Sequence, residues 1–297
     1  MPARLGDVFS VAAAIEAGVS PDALRRVAFR SPYPGLRSQA PAPPVDDLRA
    51  RCAELAPRLR DWQFFSHETA LALLEIPTPS LPYRPRVHVS AHRPSREPRI
   101  AGVVGHRLQT RATAVSTSSG LPLEHPVRAW RQAGPLWALD DLVAAADALV
   151  SGEHPNASLD DLREEVAAMG DVRGGILTES LRLARVGSRS PRETKLRLLL
   201  VRAHLPEPEI NWTLRDSSGG FVAELDLAYP RWRICPEYDG RVHAQDAKQF
   251  EKDADRWDRI RAEGWDHVRV LNHHMRGNGR AAVAKIAEAL IRAGWRP

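Results

Sequence analysis

The chain has few cysteines and no long apolar segment. Cys52 and Cys235 are its two cysteines and lie far apart, which speaks against a disulfide framework or a thiolate metal site. The longest apolar stretches are short and broken by Arg or Asp, so no membrane span or membrane partner is predicted. The N-terminus lacks a convincing signal-peptide cleavage site, and Asp7 and Glu16 suit a helical domain better. We therefore expect a cytoplasmic protein.

Lysine is also scarce, and the charge points only mildly to an anionic partner. The chain has 42 Lys and Arg against 37 Asp and Glu, a formal net charge of +5 and a pI near 9.6. This balance favours DNA or RNA as a partner, although an excess of arginine is equally typical of a GC-rich genome. The lysines are Lys195, Lys248, Lys252 and Lys285.

Residues 1–45 have the pattern of two short helices and a connector. The stretch VFSVAAAIEAG ends at Gly18, and Ser20 and Pro21 begin a second helix, PDALRRVAFR. This is the plan of a helix-turn-helix, in which SPYPGLRS could form a clipped wing before the proline-rich connector QAPAPPV. The basic residues expected to contact DNA phosphates are Arg25, Arg26 and Arg30. The alternative is a small helical hairpin with solvated arginines.

Residues 46–187 give mixed α+β signals. Residues 49–60 and 66–74 predict helices, and RVHVSAH and GVVGHRL predict strands. His88, His92 and His106 lie in this strongly basic stretch but lack a recognisable zinc spacing. We interpret the stretch as a solvated basic face rather than a metal or phosphate site.

Residues 188–297 predict an αβββαβα order. Ser190 and Pro191 begin a helix with an apolar stripe, and SSGG at 217–220 predicts a hairpin turn. The expected elements are a helix at 191–204, strands at 209–215, 221–229 and 232–238, a helix at 245–263, the strand HVRVL and a helix at 279–293.

Three acidic residues in this segment predict a site. Glu193 lies in the first helix, and Asp226 and Glu237 lie in two successive, otherwise apolar strands. Carboxylates gathered from separate elements repel one another, and a divalent cation usually offsets that repulsion. Such a cation suits phosphodiester hydrolysis. The alternatives are a capping box between Ser190 and Glu193, and a solvated or alternative ligand role for Glu224.

The order of elements and these acids resemble the PD-(D/E)XK nuclease superfamily, and more narrowly the DUF559 domains related to very short patch repair endonucleases. The matching stretches are SPRETKLR, ELDLAYP, EYDGRVHA and DADRWDRIRAEGWDHVRVL. The preceding region resembles the AbiEi-like regions often found before DUF559 in actinobacterial proteins, through FSVAAAIEAGVSPDALRRV and FFSHETALALLEIP. AbiEi proteins are antitoxins and transcriptional regulators with a winged helix-turn-helix.

The resemblance implies roles for the site residues. Asp226 and Glu237 would hold Mg²⁺ or Mn²⁺, and Glu193 would reach the same cation directly or through water. His243 would act as general base or phosphate contact, and Asp239 would position His243 or bind a second metal. The alternative for His243 is a surface histidine.

Two positions depart from the superfamily pattern. Asp239 stands where the superfamily has lysine. DUF559 and repair-type relatives tolerate this departure and use histidine, and Lys195 or Lys248 could supply a positive charge from a helix. Pro236 removes a backbone donor directly before Glu237, which could shift the carboxylate out of register.

Two functions follow from the sequence. The first is a metal-dependent DNA endonuclease with an N-terminal DNA-binding module. The second is a non-catalytic AbiEi-like regulator or antitoxin, in which a degenerate nuclease fold binds DNA or dimerises. The retained acids favour the enzyme, whereas Pro236 and the missing lysine favour the regulator. The partners considered are DNA, a cognate toxin protein and a second copy of the chain.

Overall fold

A computed structural model describes most of the 297-residue chain. The described residues are 5–25, 29–80, 82–109, 111, 115–116, 120–239 and 247–297. Side chains are described in these ranges except at 115–116 and 247–253. Arg26 and His243, two of the predicted site residues, lie outside the described residues.

The N-terminal segment combines two short helices with two short strands. They are β1 (Val8–Ser10), α1 (Val11–Glu16), α2 (Pro21–Leu24) and β2 (Leu36–Ser38), and β1 pairs antiparallel with β2. Both predicted helices begin in this segment, but the first begins later than predicted, and the second, predicted over PDALRRVAFR, ends at Leu24 with Arg25 as its C-cap. Ser10 has extended backbone angles and its Oγ accepts a hydrogen bond from Ala13 N at 3.0 Å, which caps α1 and leaves Val8 and Phe9 in a strand.

A five-stranded sheet with flanking helices follows. Its elements are α3 (Leu48–Leu55), β3 (Gln63–Phe65), α4 (His67–Leu73), β4 (Val87–His92), β5 (Val103–Leu108), β6 (Val115–Ser116), β7 (Pro122–Leu123) and α5 (Pro126–Ala133). The strand order is β5-β4-β3-β7-β6, with β4 antiparallel to β3 and parallel to β5. The two predicted strands and two predicted helices of this region are confirmed.

Close backbone contact fixes one position of β5. A Cβ added at Gly105 would lie 1.9 Å from the carbonyl oxygen of Pro98. Only glycine fits there unless the backbone moves.

Three helices connect this region to the C-terminal segment. They are α6 (Leu139–Val150), α7 (Leu159–Met169) and α8 (Ile176–Leu183). Val143 of α6 packs against Leu183 of α8 in a small apolar cluster.

The C-terminal segment has the predicted αβββαβα order. Its elements are α9 (Pro191–Arg202), β8 (Glu209–Arg215), β9 (Phe221–Ala228), β10 (Ile234–Asp239), α10 (Ala247–Ala262), β11 (Asp266–Leu271) and α11 (Arg280–Arg292). β8 and β9 pair antiparallel, β10 and β11 pair parallel, and the bridge between Tyr229 and Ile234 links β9 to β10. The chain is therefore of mixed α+β class.

Two apolar layers hold this segment together. One contains Leu196 and Leu200 of α9, Val270 of β11 and Ile286 of α11. The other packs α10 against β9 and β10 and contains Leu225, Cys235, Trp257 and Ile260. Strands with an apolar layer on each face have little room for charge, so the acids that they carry need a separate explanation.

The chain divides into two compact units. Unit 1 comprises Met1–Ala138 and Asp160–Thr178, and unit 2 comprises Leu139–Leu159 and Glu179–Pro297. The predicted segments 1–45, 46–187 and 188–297 thus differ from the compact units. Helix α6 belongs to unit 2 because its Asp147 accepts a hydrogen bond from Arg197 of α9 at 2.9 Å, and both side chains are 1% exposed. No helix in the described ranges is both long and apolar enough to cross a membrane.

Candidate functional site

Asp226 and Glu237 lie on neighbouring strands of unit 2. The antiparallel bridge joins Tyr229 to Ile234, and counting three residues outward on each strand brings Asp226 level with Glu237. Glu237 also keeps its register on the other side, opposite Arg269 of β11. Pro236 therefore does not shift the Glu237 carboxylate out of register. Pro236 stands opposite Val268 in the parallel ladder of β10 and β11. In the described segments, β10 meets β9 at the bridge between Ile234 and Tyr229.

The Asp226 carboxylate is half-buried among other acids. Among the described residues it has no hydrogen-bond or ion-pair partner. Burial raises the pKa of Asp226 from the usual 3.8 to about 6, and the negative charges of Glu193 and Glu237 add to the increase. Arg256 and Arg189 partly oppose it. A carboxyl raised by burial and like charges is typical of a functional site, although structural networks also produce such shifts.

Glu237, in contrast, is held by two donors. Arg256 Nη1 of α10 lies 2.8 Å, and His267 Nε2 of β11 lies 2.9 Å, from the same Glu237 oxygen, Oε2. Burial alone would raise the pKa of Glu237, but these two partners outweigh it and lower the value to about 2. Glu237 is therefore ionised at neutral pH, and its Oε1 has no partner among the described residues.

The capping box that the sequence left open is formed only in part, because the Glu193 carboxylate accepts from Arg189 N rather than from Ser190 N. Ser190 Oγ accepts a hydrogen bond from Glu193 N at 3.2 Å, and Glu193 Oε2 accepts one from Arg189 N at 2.9 Å. The side chain is nevertheless buried close enough to Asp226 to raise its pKa. Arg189 in turn forms an ion pair with Glu224 at 2.7 Å, so Glu224 is a paired neighbour of the site.

The remaining predicted site residues have other partners. Asp239 is buried and accepts a hydrogen bond from Arg269 Nε at 2.8 Å. Lys195 forms an ion pair with Asp141 of α6 at 2.8 Å. Lys248 lies in the part of α10 whose side chains are not described. The positive charges beside the acids are instead arginines.

Sequence reasoning missed Arg256 and His267 as parts of the site. Arg256 forms an ion pair with Glu237 at 2.8 Å. His267 faces Glu237 because β11 runs parallel to β10 with Cys235 opposite His267. The alternation of His267 and Arg269 in HVRV was the one available signal that both point to the same face.

The arginines of the N-terminal segment divide into exposed and occupied side chains. Arg25 ends α2 and is exposed, paired with Asp22 at 2.8 Å. Arg30 forms an ion pair with Glu54 and donates to the carbonyl oxygens of Ala40 and Pro41 at 3.3 Å each. Arg25 is therefore the more accessible of the two to a phosphate.

Two curated proteins of Mycobacterium tuberculosis are similar to the chain. They are the uncharacterized proteins Rv2248 of strain H37Rv and MT2308 of strain CDC 1551, each 26% identical over 192 residues. The match covers 64% of this chain and 67% of each relative. No protein-family model matches the sequence.

Among solved structures, the Rv2827c protein of Mycobacterium tuberculosis is similar at 16% identity, over 70% of this chain and 83% of that one. Its TM-score is 0.39, which is too low to support an assignment of fold or function.

Proposed function

We propose that unit 2 is a metal-dependent DNA endonuclease of the PD-(D/E)XK type, which hydrolyses phosphodiester bonds. The observation that carries the proposal is the half-buried Asp226 carboxylate, which has no partner among the described residues and lies beside Glu193 and Glu237. This arrangement is unfavourable unless a cation joins the acids. Carboxylate oxygens prefer hard cations, so Mg²⁺ or Mn²⁺ is the expected metal.

The three acidic residues offer oxygen ligands, which are the ligand type that such a cation binds. Asp226 and Glu237 would bind it directly, Glu237 through its free Oε1, and Glu193 would bind directly or through water. Among the described residues, Glu193, Asp226 and Glu237 do not form a group at metal-ligand spacing, so their oxygens would have to draw closer. When bound, the metal would lower the pKa of a water nucleophile and neutralise charge on the scissile phosphate.

The protein's own residues would prepare the site. Arg256 and His267 fix the orientation of Glu237, as hydrogen-bonded neighbours of metal ligands commonly do. Asp226, with its pKa near 6, would release its remaining proton when the cation binds at neutral pH. His243 stays the candidate general base and lies outside the described residues.

A second candidate function is a non-catalytic AbiEi-like regulator or antitoxin. It is favoured by the contacts that already occupy Glu237 and Asp239, each paired with an arginine, and by the partial capping box of Glu193. A degenerate site whose acids serve only the fold would have such contacts. In this case DNA binding would depend on exposed arginines such as Arg25, and a cognate toxin or a second copy would be the protein partner.

Cleavage of supercoiled plasmid by the full chain tests the proposal. The wild type is compared with Asp226→Asn, which keeps the side-chain shape and removes the charge, in Mg²⁺, Mn²⁺ or chelator. Asp255→Asn is the matched control because Asp255 is an exposed acid on α10. We expect nicking or linearisation by the wild type and Asp255→Asn only with metal, and at least about 100-fold less by Asp226→Asn, since metal-site ligands contribute several kcal/mol.

Two results would contradict the enzyme. Equal cleavage by the wild type and Asp226→Asn would mean that the activity lies elsewhere or is a contaminant. Absence of cleavage on plasmid, single-stranded and mismatched DNA, with equal DNA binding by both proteins in chelator, would establish the regulator instead.

A further inference from the structure

Three histidines of unit 1 meet although they are distant in sequence. His67 begins α4, His88 lies in β4 and His106 lies in β5. One ring nitrogen of each histidine lies within 4.8 Å of those of the other two. Among the described residues, these histidines form the group of three potential metal ligands at such spacing. His88 is 3% exposed, so the interpretation as a solvated basic face is wrong for His88. His67, which lies outside that stretch, is 8% exposed.

The contact between His88 and His106 is already close to metal-site geometry. His88 Nδ1 lies 2.9 Å from His106 Nε2. Two nitrogens that each bind zinc at 2.0–2.1 Å with tetrahedral angles stand about 3.3 Å apart. A cation could therefore replace the shared proton with an opening of about 0.4 Å relative to the observed 2.9 Å separation. The His67 ring, stacked on His106 at 3.8 Å, would tilt to present its nitrogen.

A buried carboxylate orients His88 from its far side. His88 Nε2 lies 3.4 Å from Glu68 Oε1, and Glu68 is 1% exposed. Glu68 is itself fixed by the Trp137 indole at 2.8 Å, by Arg86 N at 2.8 Å and by the Tyr83 hydroxyl. Donation of the second ring N–H to a carboxylate is the common support of metal-binding histidines, because it fixes the tautomer and raises ligand basicity.

His67 is also held on one side and strained at its backbone. Its Nδ1 lies 2.9 Å from Ser66 Oγ, which contacts Ser90 Oγ at 2.6 Å. Its φ angle is +54°, in the left-handed region that a non-glycine residue enters at a cost of about 1–2 kcal/mol.

We infer that His67, His88 and His106 form a zinc-type metal site in unit 1. Imidazole nitrogens suit Zn²⁺ and the neighbouring transition metals rather than Mg²⁺. Three protein ligands leave a fourth position for water or another ligand, and the half-buried His106 gives that position a route to solvent. The site involves none of the residues proposed for nuclease activity, so it stands whether or not unit 2 cleaves DNA.

The test is Zn²⁺ binding by the untagged full chain after removal of metal with chelator. We expect one equivalent of Zn²⁺ per chain to compete with a chromogenic chelator, and Co²⁺ to give the visible absorption of a nitrogen-bound ion. His106→Ala, on a partly accessible strand, should weaken Zn²⁺ binding at least about 100-fold, since outer partners alone contribute 10–100-fold. His88→Gln should have a similar effect.

Two controls separate this site from others on the chain. His92→Ala changes a histidine of the same strand, four residues after His88 and outside the group, and should leave Zn²⁺ binding unchanged. Asp226→Asn should also still bind one equivalent of Zn²⁺ per chain. Circular dichroism without metal checks that each variant folds. The inference is overturned if the wild type binds no Zn²⁺ or if folded His106→Ala binds Zn²⁺ as tightly as the wild type does. It is also overturned if His92→Ala or Asp226→Asn weakens Zn²⁺ binding as much as His106→Ala does.

Discussion

Replacing Asp226 with asparagine should stabilise the protein at neutral pH while it removes cleavage. The pKa of Asp226 is raised from the usual 3.8 to about 6, first by burial and then by Glu193 and Glu237. That difference corresponds to about 3 kcal/mol of unfavourable free energy for the ionised form. Because the side chain is only half-buried, we expect about 2–3 kcal/mol.

The effect must depend on pH in one direction. Well below the unfolded-state pKa of 3.8 the carboxyl is protonated in both the folded and the unfolded state, so wild type and Asp226→Asn should be similarly stable. As pH rises from about 3 through 6, the unfolded state loses its proton first, and the wild type loses stability. Asp226→Asn does not titrate there, so its advantage should grow to its full size above about pH 7.

Urea unfolding in chelator from pH 4 to pH 8, followed by tryptophan fluorescence, measures this difference. Trp257 and Trp265 report on the apolar layer between α10 and the strands. Asp255→Asn should stay within about 0.5 kcal/mol of the wild type at every pH, because Asp255 is exposed. Mg²⁺ should then stabilise the wild type and not Asp226→Asn. The reasoning fails if Asp226→Asn is no more stable than the wild type at pH 8, or if its advantage is independent of pH.

Three further substitutions test contacts within the two units. Glu237→Gln should destabilise by about 1–3 kcal/mol at pH 7 by leaving its arginine partner unpaired, and the difference should shrink between about pH 4.5 and 2 as the wild-type carboxyl protonates. Arg197→Met should cost about 3–5 kcal/mol in urea unfolding, because Asp147 stays buried without its cation. Gly105→Ala should lower the melting temperature of unit 1 by several degrees, while Gly6→Ala, with open space around it, should not.

The C-terminal elements could be predicted from sequence because their signals are local. Ser190 and Pro191 mark the start of α9, and the SSGG turn separates β8 from β9 at the predicted residues. Asp226 was predicted because a charge in an apolar strand is unfavourable without a function. The bounds differ at the start of β10, which was predicted at residue 232 but begins at Ile234, because a 3-10 turn at Pro230–Trp232 and the left-handed Arg233 come first.

The histidine group could not be predicted because its geometry is not local. His88 and His106 meet through the parallel register of β4 and β5, which places Ser90 opposite His106, and nothing in the spacing of the sequence encodes that register. His67 joins them only because β3 leads directly into α4 beside β4. The sequence therefore indicated His92, rather than His67, as the histidine to group with His88 and His106.

The two candidate sites differ in donor chemistry, and this makes their roles separable. Unit 2 offers carboxylate oxygens, which bind Mg²⁺ or Mn²⁺ weakly and with water in the coordination shell. Unit 1 offers the imidazole nitrogens of two buried histidines and the half-buried His106, which prefer Zn²⁺. Asp226→Asn should therefore abolish metal-dependent cleavage and keep Zn²⁺ binding, whereas His106→Ala should lose Zn²⁺ binding. If His106→Ala also lost cleavage while remaining folded and able to bind DNA, Zn²⁺ would belong to the activity, and unit 2 alone could not account for it.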